Sequence, residues 1–263
     1  MTQTNHRAAT GQRAAPATPA RQVGSFLKEL LFVVVGAIVV SSVLRAFVGQ
    51  MFIIPSQSME NTLLIGDRVV VQKITGFQRG DVVVFADPGD WLAGAEIAER
   101  GPIGKALEFI GVLPDTSTEH LIKRVIGMPG DRVVCCDAKG RITVNGYALD
   151  EQAYLYTSPD GERMNPSDVR FDVVVPQDRI FVMGDHRSLS ADSRCHLSDV
   201  STDQPRGEVA FVPVRLVVGP AVAIAAPFGR ATILHRPAIF EDVPAAKNPA
   251  PAEAVIKPDG VRC

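Results

Sequence analysis

Ile54-Pro55-Ser56-Gln57-Ser58-Met59 follows closely on the apolar run Leu30–Val48, and these two stretches together decide how the chain is read. The run has 19 residues and one charge, Arg45, near its end, where the long stem can carry the guanidinium toward water. As a helix rising 1.5 Å per residue it measures roughly 28 Å, about the hydrocarbon thickness of a bilayer. Ser58 comes ten residues later, so even fully extended chain keeps this hydroxyl within ~33–36 Å of the end of the run. A serine held there, after strand-forming Phe52-Ile53-Ile54 and a stiff Pro55, points to chemistry at a membrane surface. A serine in a plain juxtamembrane linker is the competing reading.

On the N-terminal side, Met1 to Gln22 is rich in Ala, Thr, Gln and Pro and holds Arg7, Arg13 and Arg21 but no acid. That composition cannot bury a core and predicts disorder. With Lys28 added, positive charge precedes the run, so the positive-inside rule predicts a cytoplasmic N-terminus, a single-pass anchor and an extracytoplasmic remainder. A cleaved signal peptide competes with this, but its apolar region would be unusually long and no small-x-small site clearly ends it. The net charge of −2 over 263 residues gives no basic footprint for nucleic acid. Few aromatics beside many valines, alanines and glycines lean toward strands and tight turns.

On the C-terminal side, short apolar runs separated by turn signals predict a mostly β domain. Arg68–Lys73, Val82–Phe85, Leu121–Ile126, Arg132–Cys136, Phe171–Val175 and Arg179–Met183 read as strands, and Val209–Val218 is strand-like. Asn145-Gly146 after Ile142-Thr143-Val144 predicts a hairpin. Asp87–His120 breaks the pattern: a flap on the bilayer with Trp91 at headgroup level, or a surface excursion with its own small core. Leu216–Leu234 is apolar but punctuated by Gly219, Pro220, Pro227, Gly229 and Arg230, which favours strand and turn over a second span.

Serine is a weak nucleophile and needs a base. No Gly-x-Ser-x-Gly, His-Glu-x-x-His or Cys-x-x-Cys pattern is present, and no metal or organic cofactor is implied. His120, His186 and His196 are conceivable bases. A lysine serves instead if apolar surroundings lower its pKa toward neutrality, at a cost of about 3–4 kcal/mol for a shift of ~2–3 units. Lys123 fits, because alternation puts it on one strand face with Leu121 and Val125 while Arg124 points the other way. The alternative is that both are exposed strand charges.

Four blocks carry a resemblance. Pro55–Met59, Gly66–Val70, Lys123–Asp131 and Gly184–Arg187 running through Ser190–Arg194 are similar, in order and behind an anchor, to the signature blocks of bacterial type I signal peptidases. The Asp87–His120 excursion and the Cys195–Arg206 loop resemble the high-GC Gram-positive branch more weakly. The resemblance implies a signal-peptidase-like antiparallel β-sheet catalytic domain with a smaller inserted β subdomain, preceded by one transmembrane helix. The expected layout is a disordered head (1–24), an anchor (25–48), a catalytic domain (49–240) and a disordered tail (241–263), with an insertion at 87–120 and the subdomain at about 137–170.

It also implies roles. Ser58 is the acylating nucleophile and neutral Lys123 the general base. The backbone N–H of Ser58 and the hydroxyl of Ser56 hold the oxyanion, and Ser190 orients the lysine amine. Asp192 and Arg194 brace the loop as an ion pair, with Arg124 and Asp185 in structural support. Phe52, Ile54, Met59, Leu63, Leu121 and Ile122 match positions lining shallow pockets that admit alanine and exclude bulk. The implied activity is cleavage of signal peptides after Ala-x-Ala-type sites, through an acyl-enzyme. The partners are preproteins delivered by the export machinery and the lipid bilayer. Asn61 stands where the family usually has proline, and His186 where it usually has asparagine; the latter invites a Ser–His reading. Cys195 bridged to Cys135 or Cys136 is the expected disulfide, since the two neighbours would strain if joined to each other. The rivals are a self-cleaving Ser–Lys repressor, a sortase using Cys195 and Arg194, and a non-catalytic anchored β-domain that binds exported proteins.

Overall fold

The structure, a computed structural model, describes residues 19–47, 49–89, 91–92, 101–102, 104 and 120–257, and only the backbone of residues 19–25 and 43–47. The chain divides into two units, Met1–Ser42 and Val43–Cys263. Helix α1, Pro19–Phe47, begins in the first and its last residues belong to the second. It begins inside the head expected to be disordered, and its first residue is proline, whose fixed φ and missing N–H suit the first turn. Phe26, Leu27, Leu30, Leu31, Phe32, Val33, Val34, Val35, Val39 and Val40 on it are exposed. Among the described residues no helix is long and apolar enough to cross a membrane. The expected run continues to Val48, beyond the side chains described.

The second unit is built from antiparallel strands. In chain order they are β1 (Gly49–Ile53), β2 (Arg68–Gln72), β3 (Val82–Ala86), β4 (His120–Gly127) and β5 (Arg132–Cys135). Then come β6 (Ile142–Val144), β7 (Tyr147–Ala148), β8 (Phe171–Val174) and β9 (Arg179–Met183). The last are β10 (Val212–Pro213), β11 (Val217–Ala226), β12 (Thr232–Ile233) and β13 (Val255–Lys257). The larger sheet runs β1-β2-β11-β3-β4-β9-β10, with β12 on β11; the smaller runs β13-β8-β5-β6-β7.

β2 alternates as a half-buried strand should, with Val69 and Val71 inward and Arg68 exposed. β3 lies inside the sheet and is covered on both faces. Val82 and Val84 join a core with Met59, Leu63 and Ile122, while Val83 and Phe85 join another with Leu121, Val125 and Ile180. A third core, around Phe171, Phe181, Phe211 and Phe240, packs the smaller sheet onto β9. At the β6–β7 turn Asn145 and Gly146 both have positive φ (54° and 85°), the pair that a two-residue hairpin with this twist requires.

Several expectations give way. The subdomain predicted at 137–170 is wider: it takes β5, β8 and β13, which lie outside that range. The tail predicted as disordered is ordered to Lys257, because β13 hydrogen-bonds along β8 and Val243 enters the core. Trp91 is buried, not at a headgroup level, and its indole N–H donates to the Val209 carbonyl at 3.1 Å. Most of the 87–120 insertion, with residues 1–18 and 258–263, lies outside the described residues. Leu216–Leu234 forms β11 and β12, as its glycines and prolines predict. Cys135 and Cys136 are joined to each other, and Cys195 is disulfide-bonded elsewhere, so the expected bridge between Cys195 and that pair does not form.

Candidate active site

Pro55 ends the first strand and leaves Ser56 extended, and one turn of 3-10 helix, Gln57–Met59, then turns Ser58 and Met59 inward. The turn is pinned from outside itself: the His186 N–H donates to the Ser58 carbonyl at 3.0 Å, and the Leu63 N–H to the Met59 carbonyl at 2.8 Å. Asn61 holds φ at 84°, which proline cannot adopt, and its side-chain amide donates to the Leu155 carbonyl at 3.3 Å. The departure at Asn61 therefore goes with a different local turn, one that still delivers Ser58.

Lys123, on β4, reaches across to that turn. Its Nζ donates to Ser58 Oγ at 2.6 Å, and both residues are buried, 4% exposed each. Burial pushes the lysine pKa down to about 8, against the pull of the Asp192 and Asp185 carboxylates, which favours the ammonium. Those carboxylates are already engaged by arginines. Asp192 takes Arg194 Nε and Nη2, both at 2.8 Å, and the Gly184 N–H at 2.9 Å. Against the cost of burial, Arg194 and these hydrogen bonds hold Asp192 below the usual carboxylate range. Asp185 takes Arg124 at 2.8 and 2.6 Å, and Thr62 Oγ1 donates to it at 2.5 Å. A buried amine among neutralised acids is able to lose its proton near neutral pH.

Ser56 Oγ lies 3.3 Å from Ser58 Oγ, on the exposed side. Ser190 Oγ is buried beside Asp192, whose ionised carboxylate it favours as a hydrogen-bonding neighbour, and no hydrogen bond from it to the lysine amine is seen among the described residues. His186 does not face Ser58 with its ring. Its Nδ1 lies 3.1 Å from Glu60 Oε2 and its plane stacks on Tyr156 at 4.0 Å, so only its backbone serves the nucleophile turn.

A cleft of about 250 Å³ opens over Ser58 and Lys123. Of the six apolar residues expected to line it, Leu121 and Ile122 do. Phe52, Ile54, Met59 and Leu63 belong instead to the core beneath, because the inward face of β1 and the turned-in Met59 pack against β2 and β3. Trp91, Leu92, Leu189 and Ala191 take their places at the wall.

Sequence reasoning also missed a third buried ion pair. Arg187 grips Glu151 through Nη2 at 2.5 Å and donates to the Gly184 carbonyl at 2.8 Å. Tyr154 donates to the same Glu151 at 2.6 Å and stacks under the Arg124 guanidinium, 4.3 Å from ring centre to carbon. Burial, then Glu151, pushes the Tyr154 hydroxyl well above its ordinary pKa. Arg187 at least stood inside a recognised block. Glu151 lay in a polar stretch with no signal. Among the described residues no cluster of three or more His, Cys, Asp or Glu could hold a metal ion.

The family model described as signal peptidase, peptidase S26, matches residues 27–226. A signal peptidase I of Mycobacterium tuberculosis is 38% identical over 230 residues, covering 78% of this chain and 74% of its own. A probable signal peptidase I of Mycobacterium leprae is 37% identical over 237 residues, covering 78% of each. A solved signal peptidase I from Enterococcus faecalis is 22% identical, covers 56% of this chain and 97% of its own, and gives a TM-score of 0.33.

Proposed function

This chain belongs to the signal peptidase family, peptidase S26, a family of serine hydrolases, and on that premise we propose that it cuts signal peptides from exported preproteins with a Ser58–Lys123 dyad. The observation that carries the reading is the 2.6 Å contact between a buried lysine amine and a buried serine hydroxyl, 65 residues apart in sequence.

In the proposed cycle, neutral Lys123 accepts the Ser58 proton as Oγ attacks the scissile carbonyl. The oxyanion is met by the Ser58 N–H and by Ser56 Oγ, 3.3 Å from the nucleophile. Aimed donors of this kind are worth roughly 3–4 kcal/mol of barrier each. The protonated lysine then gives its proton to the leaving amine. Water activated by the regenerated neutral amine hydrolyses the acyl-enzyme. Ser190, buried beside Asp192, takes up the amine when Ser58 is acylated and no longer holds it. The Arg124–Asp185 and Arg194–Asp192 pairs fix the loop that carries Ser190. Small residues before the cleavage site suit a shallow cleft floored by Leu121 and Ile122.

The substrate's apolar segment sits in a bilayer, so an anchored enzyme searches for it in two dimensions. Leu30–Val48 supplies the anchor, and the basic residues before it keep the N-terminus cytoplasmic. The exposed valines, leucines and phenylalanines of α1 suit lipid better than water. A reporter fused after Val175 is then active only outside the cytoplasm; activity inside overturns this topology.

The test of the activity is N-terminal sequencing of the products of a model preprotein incubated with the full chain in detergent. Wild type yields the mature terminus, and Ser58→Ala and Lys123→Ala yield none. An active Lys123→Ala enzyme overturns the dyad. Membership of a peptidase family already displaces the non-catalytic binding module.

A further inference from the structure

Trp91 stands at the head of the 87–120 insertion, outside the four blocks that carry the resemblance, and yet it lines the cleft that holds Ser58 and Lys123. It is held there from every side. Its indole N–H donates to the Val209 carbonyl at 3.1 Å, and its ring stacks on His196, with 4.4 Å between centroids and 9° between planes. Phe85 meets it edge-on at 5.9 Å and 86°. The backbone N–H groups of Trp91 and its neighbour Leu92 both donate to the Asp87 carboxylate at 3.0 Å, as does that of Gly89. One acid side chain thus shapes the whole turn.

Such a wall does not yield. A ring hydrogen-bonded at its nitrogen, stacked on one neighbour and met edge-on by another is held in one rotamer, and moving it would forfeit an indole hydrogen bond in a dry place. The volume available to the residue lying over Ser58 is therefore bounded by Trp91 and Leu92 together with Leu121 and Ile122, and Trp91 and Leu121 are packed in one core behind the cleft. Resting on the peptidase reading above, we propose that Trp91 and Leu92 are specificity-determining residues, a rigid wall that limits the size of the substrate side chain before the cut.

The test is a set of model preproteins that differ only in the residue one or three places before the cleavage site, alanine in the parent and valine, leucine or phenylalanine in the others. Each is cut by full-length wild type, Trp91→Ala and Leu92→Ala in detergent, and kcat/KM is measured. One methylene of pocket space is worth ten-fold or more in discrimination. The expected result is a rise of at least about tenfold in the bulky-to-alanine kcat/KM ratio, at one of the two positions, for either variant. A purely structural role lowers all substrates together and leaves the ratio fixed. Leu92 is half-buried, so its variant keeps the test alive if Trp91→Ala does not fold. Wild type cutting the alanine substrate, with the ratio unmoved in the folded variants, overturns the wall alone. Wild type failing on the alanine substrate overturns the peptidase reading, and the wall with it.

Discussion

Arg124, the residue next to Lys123 on β4, closes a two-point ion pair on Asp185 with both side chains shut away from solvent (2.8 and 2.6 Å). Strand alternation sends Lys123 to the cleft and Arg124 behind it, so adjacent cations face different partners. Asp185 nonetheless favours the ammonium form of Lys123 from a distance. Asp185→Asn should therefore do two things. It strands a buried guanidinium, at a cost of about 3–5 kcal/mol of stability. It also removes a force that raises the lysine pKa, so the alkaline rise of residual activity moves to lower pH. Denaturant unfolding and a pH–rate profile separate the effects; an unmoved profile would show that Asp185 acts on stability alone.

The rate itself should follow the free amine. With the Lys123 pKa lowered to about 8, mainly by burial, kcat/KM climbs roughly tenfold per pH unit below that value and levels above it. Lys123→Arg keeps the charge at every working pH and should be inactive across the profile. A wild-type profile flat from pH 6 to pH 9 would contradict the neutral-lysine base.

The same shift has a signed consequence for stability. The unfolded lysine holds its proton up to about 10.5 and the folded one only to about 8, so folding releases a proton between these values. Wild-type stability on that account rises as pH increases from about 8 to about 10.5, and below that window the full penalty of about 3 kcal/mol applies. Lys123→Met removes the titration. At pH 7 it should be no less stable than wild type, and its advantage should shrink as the pH is raised. An advantage that grows with pH reverses the sign and removes the case for a desolvated amine.

What could be read in the sequence was whatever depended on neighbours in the chain. Val82–Phe85 is continuous apolar sequence and became a strand covered on both faces; Asn145-Gly146 became the hairpin turn. The facing of Ser58 and Lys123 came from the four ordered blocks and from the apolar surroundings of one lysine. Burial decided by distant partners could not be read. Glu151 is affordable inside only because Arg187, 36 residues on, meets it. Met59 and Leu63 look like pocket residues until the 3-10 turn points them into the core. The alanine- and proline-rich tail has the composition of disorder, but β13 binds through its backbone, which composition does not report.

Gly184 closes β9 where two site residues press against it. A Cβ placed there would collide with Ser190 Oγ and with the Ser58 carbonyl, the group that the His186 N–H holds. Relief must come from moving the Ser190 loop, the nucleophile turn, or both, since Gly184 is itself tied to Asp192 through its N–H and to Arg187 through its carbonyl. Overpacking of this kind costs about 1–3 kcal/mol of stability. A displacement of even 1 Å at a nucleophile costs roughly 10²-fold in rate. Gly184→Ala should thus fold with modestly reduced stability and lose at least about a hundredfold in kcat. Adding Ser190→Gly removes the collision with Ser190 and leaves the one at the Ser58 carbonyl, so the double variant should recover stability while its kcat stays well below that of Ser190→Gly alone. If the double variant and Ser190→Gly alone have the same kcat, the nucleophile turn was never displaced, and the contact between Gly184 and Ser58 is not what positions Oγ.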